Sequence, residues 1–96
     1  MKKISVIKLC GEIQSLSILI TNVMDHDVFV DYSGHVNVFV VRIVSGGWHE
    51  GMTLPKERKK VYLHEDGAEQ MLIDLKKELE NLLGEVYAIA DPAIGI

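Results

Sequence analysis

The sequence predicts an α+β domain with the order α-β-β-β-α: a three-stranded antiparallel β-meander with one helix before it and one after it. Within residues 28–44, two runs of β-branched and aromatic residues flank Ser33-Gly34, which is typical of a β-hairpin. Leucines at helical spacing fill residues 67–83, and apolar residues recur every three or four positions over residues 5–24. The chain has 96 residues, enough for one core, so residues 1–96 are expected to form a single domain.

The first element, over residues 5–24, can be read in two ways. Ser5 is a suitable N-cap, and the apolar residues fall on one helical stripe: Val6, Leu9, Ile13, Leu16, Ile20 and Val23. Against a helix, Gly11 costs about 1 kcal/mol in a helix interior. Residues 15–22 are also rich in strand formers, so a strand there is the alternative. The unbroken stripe favours the helix.

The hairpin is expected over residues 28–44 with a two-residue turn at Ser33-Gly34, which pairs Phe29 with Val38 and Val30 with Asn37. One sheet face then holds Phe29, Val36, Val38 and Val40, and the other holds Val28, Val30, Tyr32, Phe39, Val41 and Ile43. Both faces are apolar, whereas a solvated face alternates with polar residues. Either a helix covers each face, or another chain covers one of them.

The remaining elements are a loop over residues 45–57, a strand over residues 60–64 and a helix over residues 67–83. Asp66 and Glu69 form a capping pattern at the start of this helix, and Gly84 is suited to its end. Its predicted apolar stripe is Ala68, Met71, Leu72, Leu75, Leu79, Leu82 and Leu83. Residues 86–90 are expected either to add a strand or to pack on the core.

Composition points to a cytoplasmic protein. The chain is 48% apolar and 25% charged, and its net charge of −4 disfavours non-specific binding to nucleic acid or anionic membranes. Cys10 is the single cysteine, so no intramolecular disulfide forms, which fits a reducing compartment. Lys8, Glu12 and Gln14 interrupt the apolar N-terminal region, so neither a signal peptide nor a transmembrane helix is expected there.

No catalytic or metal-binding constellation is recognisable, so the chain is expected to be a non-enzyme without cofactor or metal. The histidines lack the spacings of zinc sites: His26, His35, His49 and His64. Cys10 lies beside the apolar stripe, as a buried structural thiol does. Ser33 lacks the surroundings of a serine nucleophile and fits a hairpin turn.

Three binding features remain. Trp48 is either an interface anchor or a side chain that closes the edge of the core. The basic cluster at residues 56–60, with Arg58, Lys59 and Lys60, either contacts phosphates or protects a strand edge by charge, and the net acidity favours protection. The second helix also presents an acidic face, with Asp74, Glu78 and Glu80.

Two resemblances accompany these features. The α-β-β-β-α order is similar to that of double-stranded-RNA-binding domains, but their second helix opens with lysines, and here it opens with Asp66-Gly67-Ala68-Glu69. Residues 31–43 with Gly46-Gly47-Trp48, a short strand and a leucine-rich helix resemble small uncharacterised proteins of tailed phages and prophages of enteric bacteria. That resemblance covers residues 27–83 and implies a bacterial cytoplasm and a phage-accessory role, without an activity or a site.

Three functions follow as hypotheses. The first is a non-catalytic interaction protein that self-associates, as a homodimer, and binds an unknown bacterial host or phage protein. The second is a nucleic-acid-binding module with the topology of a double-stranded-RNA-binding domain. The third is an acidic inhibitor of a host enzyme.

Overall fold

The computed structural model describes residues 2–47, 49–51 and 58–87 and has the predicted order. The elements are α1 (Lys2–Val23), β1 (His26–Ser33), β2 (Val38–Ser45), β3 (Lys59–Tyr62) and α2 (Ala68–Tyr87). The strands form one antiparallel sheet in the order β1-β2-β3, so the α+β meander is confirmed. Position 48 and residues 52–57 and 88–96 lie outside the described residues, and so does most of the predicted tail.

The register of the hairpin differs from the predicted one. Phe29 pairs with Arg42 and Ser33 with Val38, so residues 34–37 form the turn and the prediction of a Ser33-Gly34 turn is wrong. Asn37 makes the longer turn possible, since its φ of 54° lies in the left-handed region that asparagine tolerates. The partner of each β1 residue moves by four positions, an even number, so every strand residue stays on its predicted face.

Asn37 also connects the turn to β3. Its Oδ1 accepts a hydrogen bond of 2.7 Å from the Tyr32 hydroxyl, and its backbone carbonyl accepts one of 3.0 Å from the Leu63 N–H. Leu63 follows directly on β3, which is shorter than the predicted strand over residues 60–64. One turn residue therefore holds together two strands that are not consecutive in the sheet.

Both helices lie on the same face of the sheet. α1 packs against β1, α2 packs against β3, and the helices pack against each other. We call this side the near face and the opposite side the far face. The near face supplies Phe39, Val41 and Val61 to the core, and the helices supply Val6, Ile13, Ile20, Ala68, Leu72, Leu75 and Leu79. The arrangement with a helix on each face is therefore not adopted.

α1 is helical throughout, which excludes the alternative strand over residues 15–22. Val6, Ile13 and Ile20 are buried at a spacing of seven residues, whereas Val23 is 39% exposed and its predicted place in the stripe is wrong. The helix ends at Val23, and Met24 packs against the core in its stead.

α2 is longer than predicted, and its ends differ. The Gly67 carbonyl accepts the Met71 N–H at 3.0 Å, so Gly67 rather than Asp66 is the N-cap. Gly84 lies inside the helix and does not end it. Met71 is 50% exposed, so its predicted burial is also wrong. One residue on, Leu72 lies about 100° further round the helix and faces the core.

Candidate interaction surfaces

Of the basic cluster, Lys59 and Lys60 lie on the edge strand β3 and Arg58 directly precedes it, whereas residues 56–57 lie outside the described residues. Arg58, Lys59 and Lys60 are exposed, and β3 pairs with β2 alone in the described sheet. Asp74 and Glu78 of α2 line the same surface depression as these three cations. The depression is therefore of mixed sign, which is unlike the uniformly positive surface that follows a phosphate backbone.

The acidic face of α2 is solvated. Asp74, Glu78 and Glu80 are exposed, and Asp74 Oδ1 accepts a hydrogen bond of 2.9 Å from Gln70 within the same helix. Lys76, on the other flank, donates to Glu12 Oε1 at 3.1 Å and ties α2 to α1. Asp74 and Glu78 share one mixed surface with the basic residues, whereas Glu80 lines a separate depression with Lys76 and Glu12, so the three acidic residues do not form the single face that was predicted.

Trp48 lies outside the described residues, and the two readings of it stay predictions. Among the histidines, His26 Nδ1 accepts the Gly46 N–H at 3.2 Å and helps to close the open end of the hairpin. Within the described ranges, no three His, Cys, Asp or Glu residues lie close enough together to hold a metal ion.

The sequence predicted only part of the far face of the sheet. Val38 and Val44 on it are buried, Val40 is half-buried, and Phe29 and Tyr62 remain about a third exposed, at 37% and 36%. The far face also carries Asp31, Arg42 and Lys60, as the pairing of the strands shows. It therefore combines apolar side chains with charges of both signs.

Arg42 is the unusual residue of the far face. Its Nε is buried, and no hydrogen-bond acceptor among the described residues reaches it. A buried donor without a partner is costly, on the order of 1–3 kcal/mol, and needs a physical explanation. The sequence signal was available, since Arg42 interrupts an otherwise apolar strand. An isolated arginine in such a run did not by itself identify a surface.

A cleft of about 480 Å³ lies between the N-terminal half of α1 and the turn of the hairpin, on the near-face side. Val6, Ile7 and Phe39 provide apolar walls, and Tyr32 and Asn37 lie together at the hairpin side. The full described lining is Val6, Ile7, Cys10, Gly11, Gln14, Tyr32, Asn37, Phe39 and Leu63. Sequence reasoning missed this cleft because it arises only when α1 packs beside the hairpin turn.

Cys10 is half-buried at this cleft and packs against the core, as its position beside the stripe indicated. Burial raises the pKa of the Cys10 thiol, because the thiolate loses hydration there. The thiol is therefore a weaker nucleophile than a solvated cysteine at neutral pH.

The segment Ile4–Val23 of α1 is long and apolar enough to cross a membrane by length and composition. Core helices of soluble proteins and signal sequences pass the same test. Here Ile13, Ser17 and Ile20 are buried inside the protein, whereas Ile7 and Ile18 on the outer side of the helix are 66% and 54% exposed. The helix thus has a buried stripe and an exposed apolar stripe.

Comparison with known proteins gives no further identification. The chain matches no family model, and neither the curated proteins nor the solved structures gave a match.

Proposed function

We propose that this chain is a non-catalytic interaction protein that forms a twofold homodimer through the far face of its sheet. The observation that carries the proposal is that α1 and α2 both lie on the near face. The far face is therefore covered by neither helix, although Phe29 and Tyr62 on it are apolar and partly exposed. These two side chains lie on the two edge strands, and together with the half-buried Val40 between them they supply the apolar surface that we propose a second copy covers.

The far face is also suited to a second copy of itself. In a twofold interface the same surface contributes both sides, so a charged surface is self-complementary only if it carries charges of both signs. Asp31 supplies an exposed carboxylate, and Arg42 supplies a buried donor that lacks an acceptor among the described residues. The Nε atom itself is not accessible from outside, so a carboxylate of the partner would pair with the part of the half-buried Arg42 side chain that stays accessible. Two such sheets pack about 10 Å apart, which gives four layers in the order α-β-β-α.

The size of the far face indicates a weak dimer. The eight residues of β1 and of β2 each span about 26 Å and the four residues of β3 about 13 Å, so at about 4.8 Å of width for each strand the face measures roughly 310 Å². Stable interfaces bury about 800 Å² on each partner. We therefore expect dissociation in the micromolar range or above, where monomer and dimer can be observed together.

Sedimentation equilibrium from micromolar to submillimolar protein tests the dimer. The apparent mass should rise from the 10.8 kDa of one chain towards twice that value. Phe29→Asp should weaken association by at least about tenfold, because it replaces an apolar side chain of the proposed interface with a charge that must lose its hydration there. Met71→Asp is the matched control: Met71 is more exposed than Phe29 and lies on α2, away from the far face.

Arg42→Met separates an interface role from a structural one. Removing a buried donor without a partner should leave the stability of the monomer unchanged or raise it, whereas loss of the cross-dimer bond should weaken association. A mass of one chain at every concentration would refute the dimer. If Arg42→Met associates as tightly as the wild-type protein, Arg42 does not contribute to the dimer interface.

The phage or prophage context and the unknown host partner stay predictions. They are tested by capture from a bacterial lysate, with wild-type protein compared with Phe29→Asp. A captured protein that is retained by the variant would bind through a different surface.

A further inference from the structure

We propose that the cleft between α1 and the hairpin turn, called here the α1 cleft, binds an uncharged, largely apolar small molecule that carries a hydrogen-bond acceptor. Its volume of about 480 Å³ lies within the range of small-molecule sites, roughly 300–1,000 Å³. The proposal concerns a different surface from the dimer, because the cleft is lined from the near-face side by Tyr32 and Phe39.

The charge of the lining selects the ligand class. Among the described residues that line the cleft, none is an acid, a lysine or an arginine. Burial keeps the thiol of Cys10 protonated, so this side chain also contributes no charge at neutral pH. A charged ligand would lose hydration in the cleft without gaining a counterion, which disfavours it against a neutral one.

The polar groups of the lining select the ligand's functional group. The Tyr32 hydroxyl donates to Asn37 Oδ1 at 2.7 Å, and this bond orients the amide of Asn37. The Nδ2 group of Asn37 then remains as a donor at the hairpin side of the cleft. A ketone, ester or amide oxygen on the ligand would accept from it, while the apolar body lies against Ile7 and Phe39.

The probe is prodan, an uncharged naphthalene ketone whose emission shifts to the blue when it leaves water. We expect saturable binding of one prodan per chain. Anilinonaphthalene sulfonate, an anion of similar size, should bind at least about tenfold more weakly. Saturating prodan should also slow the alkylation of Cys10 by iodoacetamide, since this cysteine lines the cleft and is the only one in the chain.

Two matched pairs of variants locate the site. Ile7→Asp should weaken prodan binding by at least about tenfold, whereas Ile18→Asp, at another exposed isoleucine of α1 that does not line the cleft, should leave it unchanged. Gly11→Leu should fill part of the cleft, and Gly84→Leu repeats the change at a helical glycine of α2. A Cβ meets no neighbour within 4 Å at either glycine, and circular dichroism checks that both leucine variants fold.

Asn37→Asp tests the hydrogen bond to the ligand. Asp retains an oxygen for Tyr32 but removes the amide donor and adds a charge, so prodan binding should fall while the fold persists. The proposal is overturned if prodan does not bind, if the anion binds equally well, or if Ile18→Asp and Ile7→Asp have the same effect. Displacement of prodan as the protein concentration rises would also overturn it, because a second copy would then occupy the cleft.

Discussion

The side chain of Leu75 belongs to the core cluster that α2 shares with α1 and the sheet and is only 3% exposed. Leu75→Ala removes three buried carbons, worth about 0.8 kcal/mol each, and leaves a cavity that the neighbours fill only in part. The free energy of unfolding should therefore fall by about 2.5–5 kcal/mol. A domain of this size has a total stability of roughly 5–14 kcal/mol, so the loss is a large fraction of it.

Urea denaturation followed by circular dichroism measures this loss. With a slope of about 1 kcal/mol per molar urea, the midpoint should fall by at least about 2 M at unchanged slope. Met71→Ala is the control on the same helix: Met71 is 50% exposed, and its truncation should cost less than about 1 kcal/mol. Equal losses in the two variants, or a loss below about 0.5 kcal/mol for Leu75→Ala, would refute the packing of α2 described above.

Four further predictions concern other parts of the chain. Gly11→Ala and Gly84→Ala should each raise stability by about 0.5–1 kcal/mol, because both glycines lie inside helices with room for a Cβ; a lower melting temperature would contradict this. Asn37→Ala should cost about 1–2 kcal/mol more than Asn37→Gly, since a φ of 54° strains alanine, and denaturant titration of both variants measures the difference. The raised pKa of Cys10 means that the folded state favours the neutral thiol. The stabilisation by the neutral thiol should be complete below the ordinary thiol pKa and should be lost as pH rises through the pKa of the folded state. Cys10→Ser should abolish this loss of stability at high pH. In fluorescence anisotropy, the protein should show no submicromolar, salt-dependent binding to duplex DNA, duplex RNA or single strands. If such binding is found and is lost when residues 58–60 are replaced by alanine, the nucleic-acid hypothesis is restored.

The elements were predictable because each has a strong local signal. The alternating and β-branched runs give β1 and β2, and the leucine spacing gives α2, whose Leu72, Leu75 and Leu79 are buried as expected. The ends of the elements were less predictable, because tertiary contacts override local preference. Gly84 stays helical although glycine costs about 1 kcal/mol, since Leu83 immediately before it packs against the core.

The register of the hairpin could not be predicted from the two residues at the centre of the expected turn. Ser33-Gly34 suits a tight turn, but Asn37 accepts hydrogen bonds at both its side chain and its carbonyl in the longer one. The bond to the carbonyl comes from Leu63, which is distant in sequence, so a reading of the local segment alone does not find it. The even shift preserved the face assignment, which is why the core prediction survived a wrong register.

The sequence of β2 did not show on which side of the sheet the helices lie, because valine, isoleucine and phenylalanine occupy both of its faces and Arg42 is the only charged residue on either. Val41 of the near face is fully buried by the helices, while Val44 of the far face is equally buried without contact to that core cluster. The pattern of apolar and polar residues therefore predicted that both faces are covered, but not which elements cover them. The same ambiguity hid the α1 cleft, which exists only because α1 lies beside the hairpin turn on the near-face side.

The two proposed surfaces lie on opposite sides of a three-stranded sheet, and this placement makes their coupling measurable. A dimer through the far face leaves the α1 cleft of each protomer open. A ligand that binds monomer and dimer with equal affinity therefore does not change the equilibrium between them. If prodan alters the dimer dissociation constant, linkage requires that dimerisation alter prodan affinity by the same factor. β1 connects the two surfaces directly, because Asp31 faces the far side and the next residue, Tyr32, lines the α1 cleft. An unchanged dissociation constant at saturating prodan would mean that this strand transmits no strain and that the sites act independently.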